Sequence, residues 1–301
     1  MRRYIYFVII LALIFAFSGC GSSEVVSSDE KNNESLASPV AKVNNEPQSS
    51  AANSDKQKEV VKGEKAINEI EVSWFDNPPH IYMDKQTGKL TGAAYKLLEE
   101  QIAPKMNIKF VWDKESSAIP RQTSNFEANT KAFASALLTR NPDREKISIC
   151  SSKTYFQSQT AMVVKKDNPL NEIKKVDEII NLKIGYAEKS FVSPFMKDSR
   201  IKFDNTTASN YHETNLKKLV AGRIDAVYAP DKAALLGVVK QLGMENDVKI
   251  LNLPEEKAPF FVVFSKAASD IANKYNEVTN GMDLEKEYNS LLSQFIDTSK
   301  L

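Results

Sequence analysis

The stretch LKKLVAGRIDAVYAPDKAALLGVVKQL, residues 216–242, contains the pattern that decides the fold. Residues 216–221 have apolar side chains at helical spacing and are followed by Gly222, a residue type that commonly ends helices. Residues 224–228 form a short apolar run that predicts a strand, and residues 231–242 return to helical spacing. A helix, a strand and a second helix in close succession are typical of an α/β fold, in which helices cover a largely parallel sheet.

The same alternation extends outward from this stretch in both directions. Hydrophobic spacing predicts further strands at residues 69–75, 108–112, 133–138, 161–164, 183–186, 248–251 and 260–264. It predicts helices at residues 93–104, where Pro104 should end the helix, and at 120–129, 176–180, 191–196 and 270–295. The pattern restarts after about residue 176 without a sequence repeat. Together with a length of 301 residues, this predicts two α/β domains.

The N-terminus carries a different signal. Two arginines, Arg2 and Arg3, precede an apolar run over residues 4–17, and small residues then lead to Cys20. The run has the length of a signal-peptide core and is short for a membrane span. The pattern resembles a bacterial lipoprotein signal, in which residues 1–19 are removed and Cys20 is diacylated. The alternatives are an uncleaved anchor and an ordinary secretory signal.

Residues 20–65 are predicted to be the lipidated cysteine followed by a flexible tether. Ser, Asn, Glu, Lys, Ala and Gln dominate this segment, and no aromatic residue occurs from residue 18 to residue 73. Such a composition cannot bury enough apolar surface to offset the entropy lost on ordering. We therefore expect an extracytoplasmic, membrane-anchored protein whose folded part begins near residue 66.

Composition excludes several classes of function. A formal net charge of +1 provides no basic excess for binding nucleic acid. With Cys20 lipidated, Cys150 has no partner, so neither a disulfide framework nor a thiolate metal cluster is expected. Cys150 is predicted to be a small buried apolar side chain, and the alternative is a reactive thiol. His80 and His212 lack metal-ligand spacing. We expect no metal and no cofactor.

Five segments in order carry a resemblance to a known family. They are Gly88–Leu98 (GKLTGAAYKLL), Thr139–Lys146 (TRNPDREK) with the following ICSSKTY, Lys183–Tyr186 (KIGY), Leu219–Ala226 (LVAGRIDA) and the strand and helices of the C-terminus. Together they resemble the family 3 extracellular solute-binding proteins of amino-acid ABC importers, which have the type II periplasmic-binding-protein-like fold. The resemblance implies two lobes with a ligand cleft between them, lobe 1 at residues 66–165 and 258–301 and lobe 2 at 166–257. Hinge strands are then expected near residues 164–166 and 256–259.

The resemblance also implies ligand contacts. Arg144 falls at the family's carboxylate-binding arginine, and a buried carboxylate requires such a cation. Thr139 falls where a hydroxyl faces the ligand. Ser190 and Phe191 fall where the second lobe offers a hydroxyl and helix N-terminal amides, although Ser190 could simply be an N-cap. Arg121 follows a proline as in some family branches and is a further candidate.

Other candidate contacts are aromatic or acidic. Trp74, Phe75 and Tyr82 surround the first loop after the predicted strand at 69–75 and could form an apolar wall, although such residues are more often core. The position of the family's ammonium-binding Asp holds Pro230, and the neighbouring Asp231 could replace it. A solute with a carboxylate and no ammonium would use Arg144 without requiring Asp231.

These features predict a monomeric substrate-binding lipoprotein that captures a small carboxylated solute, possibly an amino acid, for an ABC permease. A ligand-sensing or interaction lipoprotein of the same fold is the first alternative. A dehydratase acting on cyclic carboxylates is the second, although the sequence contains no activated nucleophile and no clear acid/base pair. We therefore expect the protein not to be an enzyme.

Overall fold

The computed structural model describes residues 69–255 and 257–301. Cys20, the predicted signal sequence and the predicted tether lie outside these residues. The strands are β1 (Glu69–Ser73), β2 (Tyr82–Met83), β3 (Leu90–Thr91), β4 (Lys109–Trp112), β5 (Phe133–Thr139), β6 (Ser148–Cys150), β7 (Phe156–Ser158), β8 (Ala161–Lys165), β9 (Lys183–Ala187), β10 (Lys202–Thr206), β11 (Ala226–Ala229), β12 (Val248–Asn252) and β13 (Ala258–Ser265).

Eight α-helical segments accompany the strands in the described part of the chain. They are α1 (Ala93–Lys96), α2 (Ala103–Met106), α3 (Ile119–Ala128), α4 (Pro142–Ile147), α5 (Tyr211–Val220), α6 (Lys232–Leu242), α7 (Ser269–Asn280) and α8 (Leu284–Leu292). Short 3₁₀ turns occupy Val176–Glu178, Phe195–Lys197, Lys266–Ala268 and Thr298–Lys300.

The first lobe is built on a mixed sheet in the order β4-β1-β5-β13-β6, with β7 also paired to β13. β1 is parallel to β4 and β5, whereas β13 is antiparallel to β5, β6 and β7. All seven residues of β5 are buried. Continuous burial of this kind means that helices or loops cover both faces of the sheet, as the predicted α/β fold requires.

The second lobe is built on a five-stranded sheet in the order β10-β9-β11-β8-β12. β9 is parallel to β10 and β11, and β8 is antiparallel to β11 and β12. β10 was not predicted, because its sequence KFDNT has little apolar alternation and it lies at the sheet edge. The two sheets flanked by helices confirm the predicted two-lobed α/β class.

The boundary between the lobes differs from the prediction. β8 was expected to be the last strand of the first lobe, with a hinge near residues 164–166. The structure instead pairs β8 with β11 and β12 of the second sheet, with Val163 opposite Val227 and Ile250. The first crossover therefore lies between β7 and β8, and the second lies between β12 and β13. Periodicity could not show this, because an apolar run does not specify which sheet it joins.

Several helices also differ from their predicted extents. The helix that begins at α1 continues past Pro104 to Met106 through a π-helical turn at Leu97–Ile102. Pro104 lies in the first turn of α2, directly after the π turn and Ala103. A proline is tolerated in the first turn of a helix, where its missing N–H is not needed, so the helical chain continues instead of stopping. The helix predicted at 191–196 is reduced to the 3₁₀ turn Phe195–Lys197, and the C-terminal helix is divided into α7 and α8.

Candidate functional site

A small cavity lies where strand ends from the two lobes meet. Thr139 ends β5, and Phe75 follows β1 in the first lobe. Ser190 follows β9, and Asp231 follows β11 in the second lobe. These four strands run parallel to a neighbour within their sheets, and ligand sites of α/β folds form at the carboxyl ends of such strands. The topology therefore gathers residues that are far apart in the sequence, such as Phe75 and Asp231, which are 156 positions apart.

Arg144 is the buried cation of this cavity. It lies on α4, is only 8% exposed, and its Nη1 donates to the Thr139 carbonyl and, over 3.1 Å, to the Thr139 hydroxyl. The Asn141 side chain caps α4 by accepting the Arg144 backbone N–H at 2.8 Å. Burial lowers the pKa of Arg144, yet a guanidinium stays protonated in proteins.

No carboxylate of residues 69–255 or 257–301 forms an ion pair with Arg144. Its neighbours Thr139 and Asn141 offer neutral oxygen atoms. A buried charge is costly unless it is paired, so this arrangement favours an anionic partner in the cavity.

The second lobe presents a loop held by two tyrosines. The Tyr186 hydroxyl donates to the Ser190 carbonyl at 2.5 Å, and the Tyr228 hydroxyl donates to the Phe191 carbonyl at 3.2 Å. The expected helix N-terminus at Ser190 is absent from this described loop, because the chain forms a turn at Ser190 and becomes 3₁₀-helical only at Phe195. The loop therefore brings a hydroxyl and an aromatic ring to the cavity without a helix dipole.

Asp231 lines the cavity, but its carboxylate already has partners. Oδ1 accepts the N–H groups of Ala233 and Ala234 at 3.0 and 3.3 Å and so caps α6. Oδ2 lies 2.8 Å from Nε2 of His80, close enough for an ion pair although off the line of a hydrogen bond. Burial alone would raise the pKa of Asp231, but His80, the Ser158 hydroxyl and His212 together outweigh that effect and the pKa is lowered.

His80 is itself fixed by the first lobe. Its side chain is fully buried, and its Nδ1 is hydrogen-bonded to the Tyr288 hydroxyl on α8. Its carbonyl accepts the Ala94 N–H at 2.8 Å, directly beside Gly92, which has a φ of 119° and leaves no room for a Cβ against the His80 backbone. Tyr288, His80 and Asp231 thus form one buried polar chain from α8 to the start of α6.

Two neutral polar groups of the cavity were missed by sequence reasoning. Oδ1 of Asn77 and Nδ1 of His212 are buried and have no hydrogen-bond partner among the residues that the structure describes. Burial lowers the pKa of His212 to about 4, so its ring is neutral at pH 7. Tyr211, also missed, packs against Phe75 with ring centroids 5.8 Å apart. In the sequence, only the position of Asn77 shortly after β1 and the positions of Tyr211 and His212 at the start of α5 could have indicated that these residues line the cavity.

Three predicted contacts lie outside the cavity. Trp74 is core, with its Nε1 donating to the Asp113 carbonyl at 2.8 Å, because adjacent residues after a strand point to opposite sides. Tyr82 is half-buried on β2 against Phe295, with ring centroids 6.4 Å apart. Arg121 is exposed on α3. Phe75, Thr139, Arg144, Ser190, Phe191 and Asp231 are the predicted residues that the structure brings together.

The cavity is small because the lobes touch around it. Its volume is about 20 Å³, which is room for about one water molecule. The Asp76 N–H donates to the Ser209 carbonyl at 3.1 Å, and the Ser116 and Ser209 hydroxyls are 2.8 Å apart, both across the two lobes. A groove of about 570 Å³ begins at Arg144, Ser190 and Phe191 and opens to solvent.

Comparison with solved structures shows the same architecture in binding proteins. An ancestral arginine-binding protein bound to arginine is 24% identical, with a TM-score of 0.62 over 76% of this chain and 99% of that chain. An amino-acid ABC transporter substrate-binding protein from Streptococcus pneumoniae, bound to L-arginine, is 16% identical, with a TM-score of 0.63 over 75% and 94%. The GluR0 ligand-binding core from Nostoc punctiforme, in complex with L-glutamate, is 18% identical, with a TM-score of 0.61 over 76% and 99%. No curated protein matches the chain.

Two α/β lobes with a cavity of mixed polar and apolar lining between them define a two-lobed binding protein of the periplasmic type. The model of one family, the bacterial extracellular solute-binding proteins, family 3, matches residues 70–298. The chain belongs to this family, which confirms the resemblance drawn from the five sequence segments.

Proposed function

We propose that the protein is the substrate-binding component of an ABC importer and captures a small carboxylated solute between its lobes. The observation that carries this proposal is the buried Arg144, a fixed cation with no carboxylate partner in the described part of the chain. A planar guanidinium binds a carboxylate through two parallel hydrogen bonds. Nη1 is already used by Thr139, so the remaining N–H groups are the ones available to a ligand.

The other groups of the cavity complete a site for a small anion. The hydroxyls of Thr139 and Ser190 are donors from opposite lobes, and the rings of Phe75 and Phe191 supply apolar surface. A few polar groups on an apolar wall are the usual composition of a small-molecule site. Asp231 is the acidic residue among those that line the cavity.

Binding requires the lobes to separate and close again. A cavity of about 20 Å³ holds about one water, whereas the ligand must reach Arg144 from outside. The groove that starts at Arg144 supplies the route. Hinge closure around a ligand is a well-established motion of two-lobed binding proteins, and the two crossovers are the segments where it would occur.

We further propose that the mature chain is anchored by lipid at Cys20 and works beside a membrane permease. The sequence supports this through the signal pattern that ends at Cys20 and the polar segment that follows it. In residues 69–255 and 257–301, none of the helices is long and apolar enough to cross a membrane. Incorporation of labelled palmitate, lost in Cys20→Ala, tests the anchor; incorporation that persists would contradict it.

The binding proposal is tested by a thermal-shift screen of the full chain against small carboxylated solutes, followed by calorimetry. A solute present at 100 times its Kd should stabilise the protein by about 2.7 kcal/mol. Arg144→Ala should abolish the shift, whereas Arg121→Ala, an exposed arginine outside the cavity, should preserve it. Unchanged affinity in Arg144→Ala would overturn the assignment.

A ligand-sensing or interaction lipoprotein of the same fold is the second candidate function. The small cavity favours it, because direct contacts such as Asp76 with Ser209 already hold the lobes together. A protein that signals by docking would bind a partner other than a permease. Crosslinking in membranes followed by identification of the captured partner separates the two: a permease supports import and a signalling protein supports sensing.

A further inference from the structure

Three buried polar atoms line the cavity between the lobes without a partner. They are Oδ1 of Asn77 in the first lobe and Nδ1 of His212 and Oδ2 of Asp231 in the second lobe. Each residue is only 2% exposed, and none of the three atoms has a hydrogen-bond partner within residues 69–255 and 257–301. Because a buried polar atom without a partner is costly, the closed site favours a small polar group that contacts all three.

The backbone around each of these residues fixes its position. The Asn77 N–H donates to the Ile81 carbonyl at 2.8 Å, and the Asn77 carbonyl accepts the N–H groups of His80 and Ile81 at 2.9 and 3.1 Å. His212 lies in the first turn of α5, and Asp231 caps α6 through Oδ1. Oδ2 of Asp231 lies 2.8 Å from Nε2 of His80, but off the line of a hydrogen bond. The three atoms are therefore presented to the cavity from elements of both lobes.

The space that they line has the size of one water molecule. The cavity has a volume of about 20 Å³, and a buried water needs about 10–15 Å³ and two to four polar partners. Arg144, on the other wall of the cavity, already donates to the Thr139 carbonyl and hydroxyl. The size of the cavity therefore fits a single water at the end formed by Asn77, His212 and Asp231.

The hydrogen-bonding capacity of these groups also matches water. Oδ1 of Asn77 can only accept a hydrogen bond, and so can the carboxylate of Asp231, whose pKa is lowered and which is ionised at pH 7. Burial lowers the pKa of His212 to about 4, so its neutral ring can carry the proton on Nδ1 and donate it. Water has two O–H groups for the two acceptors and a lone pair for His212.

We propose that Asn77, His212 and Asp231 form a buried water site that bridges the two lobes, and that this water lets the lobes close when no solute is bound. Opening the lobes separates Asn77 from His212 and Asp231, so the bridge exists only in the closed form. One part of this inference rests on the proposed function: a solute that reaches Arg144, which lines the same cavity, displaces the water.

A crystal structure of the full chain, grown without added solute and at a resolution that shows ordered waters, tests the site. The lobes should be closed, with one water about 2.5–3.2 Å from each of the three atoms. An open form, or closed lobes without that water, would overturn the inference and leave the importer proposal intact. A thermal-shift screen in which no carboxylate binds would instead overturn the importer proposal and leave the water site intact.

His212 provides an independent readout. The chain has two histidines, so nitrogen NMR of the labelled protein shows two imidazole rings, which through-bond correlations assign. At pH 7 and without solute, the proton of His212 should be on Nδ1, where it is donated to the water oxygen. A ring protonated only at Nε2 would contradict the bridge, because Nδ1 would then require a donor from the occupant and water has no third O–H group.

A variant tests the role of the water in closure. Asn77→Leu replaces the contact from the first lobe with an apolar side chain of similar size, so the solute-free variant should open and its radius of gyration in small-angle scattering should increase. Asn125→Leu, an exposed asparagine on α3 outside the cavity, should leave the radius unchanged. An unchanged radius in Asn77→Leu, with folding verified by circular dichroism, would contradict the role in closure. If Asn77→Leu does not fold, the crystal structure and the NMR spectrum decide.

Discussion

Asp76 provides a pH-dependent test of how the lobes meet. It lies on the loop after β1, and its backbone N–H donates to Ser209 of the second lobe at 3.1 Å. Burial in this contact raises the pKa of Asp76 from 3.8 to about 6, Glu213 on α5 adds to the rise, and Lys85 opposes it. The Lys85 ammonium also lies 3.6 Å from the Glu213 carboxylate, so its positive charge acts on both carboxylates.

The size of the effect follows from the change in pKa. Above pH 6 Asp76 is ionised in the folded and the unfolded chain, and the folded chain bears the full cost of the buried charge. A pKa raised from 3.8 to about 6 corresponds to about 3 kcal/mol, which solvent screening of this half-buried group reduces to about 1–3 kcal/mol. As the pH falls from 7 towards 4, the folded chain takes up the proton first, so the cost disappears.

Asp76→Asn should therefore increase the free energy of unfolding by about 1–3 kcal/mol at pH 7.5 and by much less at pH 4.5. The assay is urea unfolding of the full chain and the variant at both pH values. Asp247→Asn, which alters an exposed carboxylate in the same way, should change stability by less than about 0.5 kcal/mol. An Asp76→Asn variant that is no more stable at pH 7.5, or whose advantage is the same at both pH values, would refute the reasoning.

Two further predictions concern the packing around the site. Gly237→Ala should cost about 1–3 kcal/mol, because the new Cβ would lie 2.6 Å from the Pro78 carbonyl oxygen, whereas Gly281→Ala, with open space around it, should be near neutral in the same unfolding assay. Tyr288→Phe should cost about 1–3 kcal/mol, since it removes the hydroxyl that pairs with buried His80; a melting temperature equal to that of the unaltered protein would show that this contact contributes nothing.

The sequence predicted the parts of the fold that depend on local pattern. Apolar runs at β5, β9 and β11 have the composition of buried strands, and the helical spacing of α6 is regular. β8 was assigned to the first sheet instead of the second, because pairing depends on contacts far away in the chain. β10 was missed because an edge strand with polar residues lacks the alternating signal.

Thr139 and Arg144, which the family resemblance implied as ligand contacts, both line the cavity. Their places are set by the end of β5 and by the Asn141 cap of α4. Asn77 and His212 were missed, since their exposure to the cavity arises only when the two lobes meet. The pairing of Asp231 with a histidine 151 positions earlier likewise required the three-dimensional structure.

The most direct test of the account is a crystal structure of the protein with a solute found in the screen. We predict that the solute lies between the lobes, with a carboxylate oxygen about 2.7–2.9 Å from a guanidinium nitrogen of Arg144. A solute bound elsewhere, with Arg144 contacting only Thr139, would contradict the central claim that Arg144 is the anion-binding residue of the cleft.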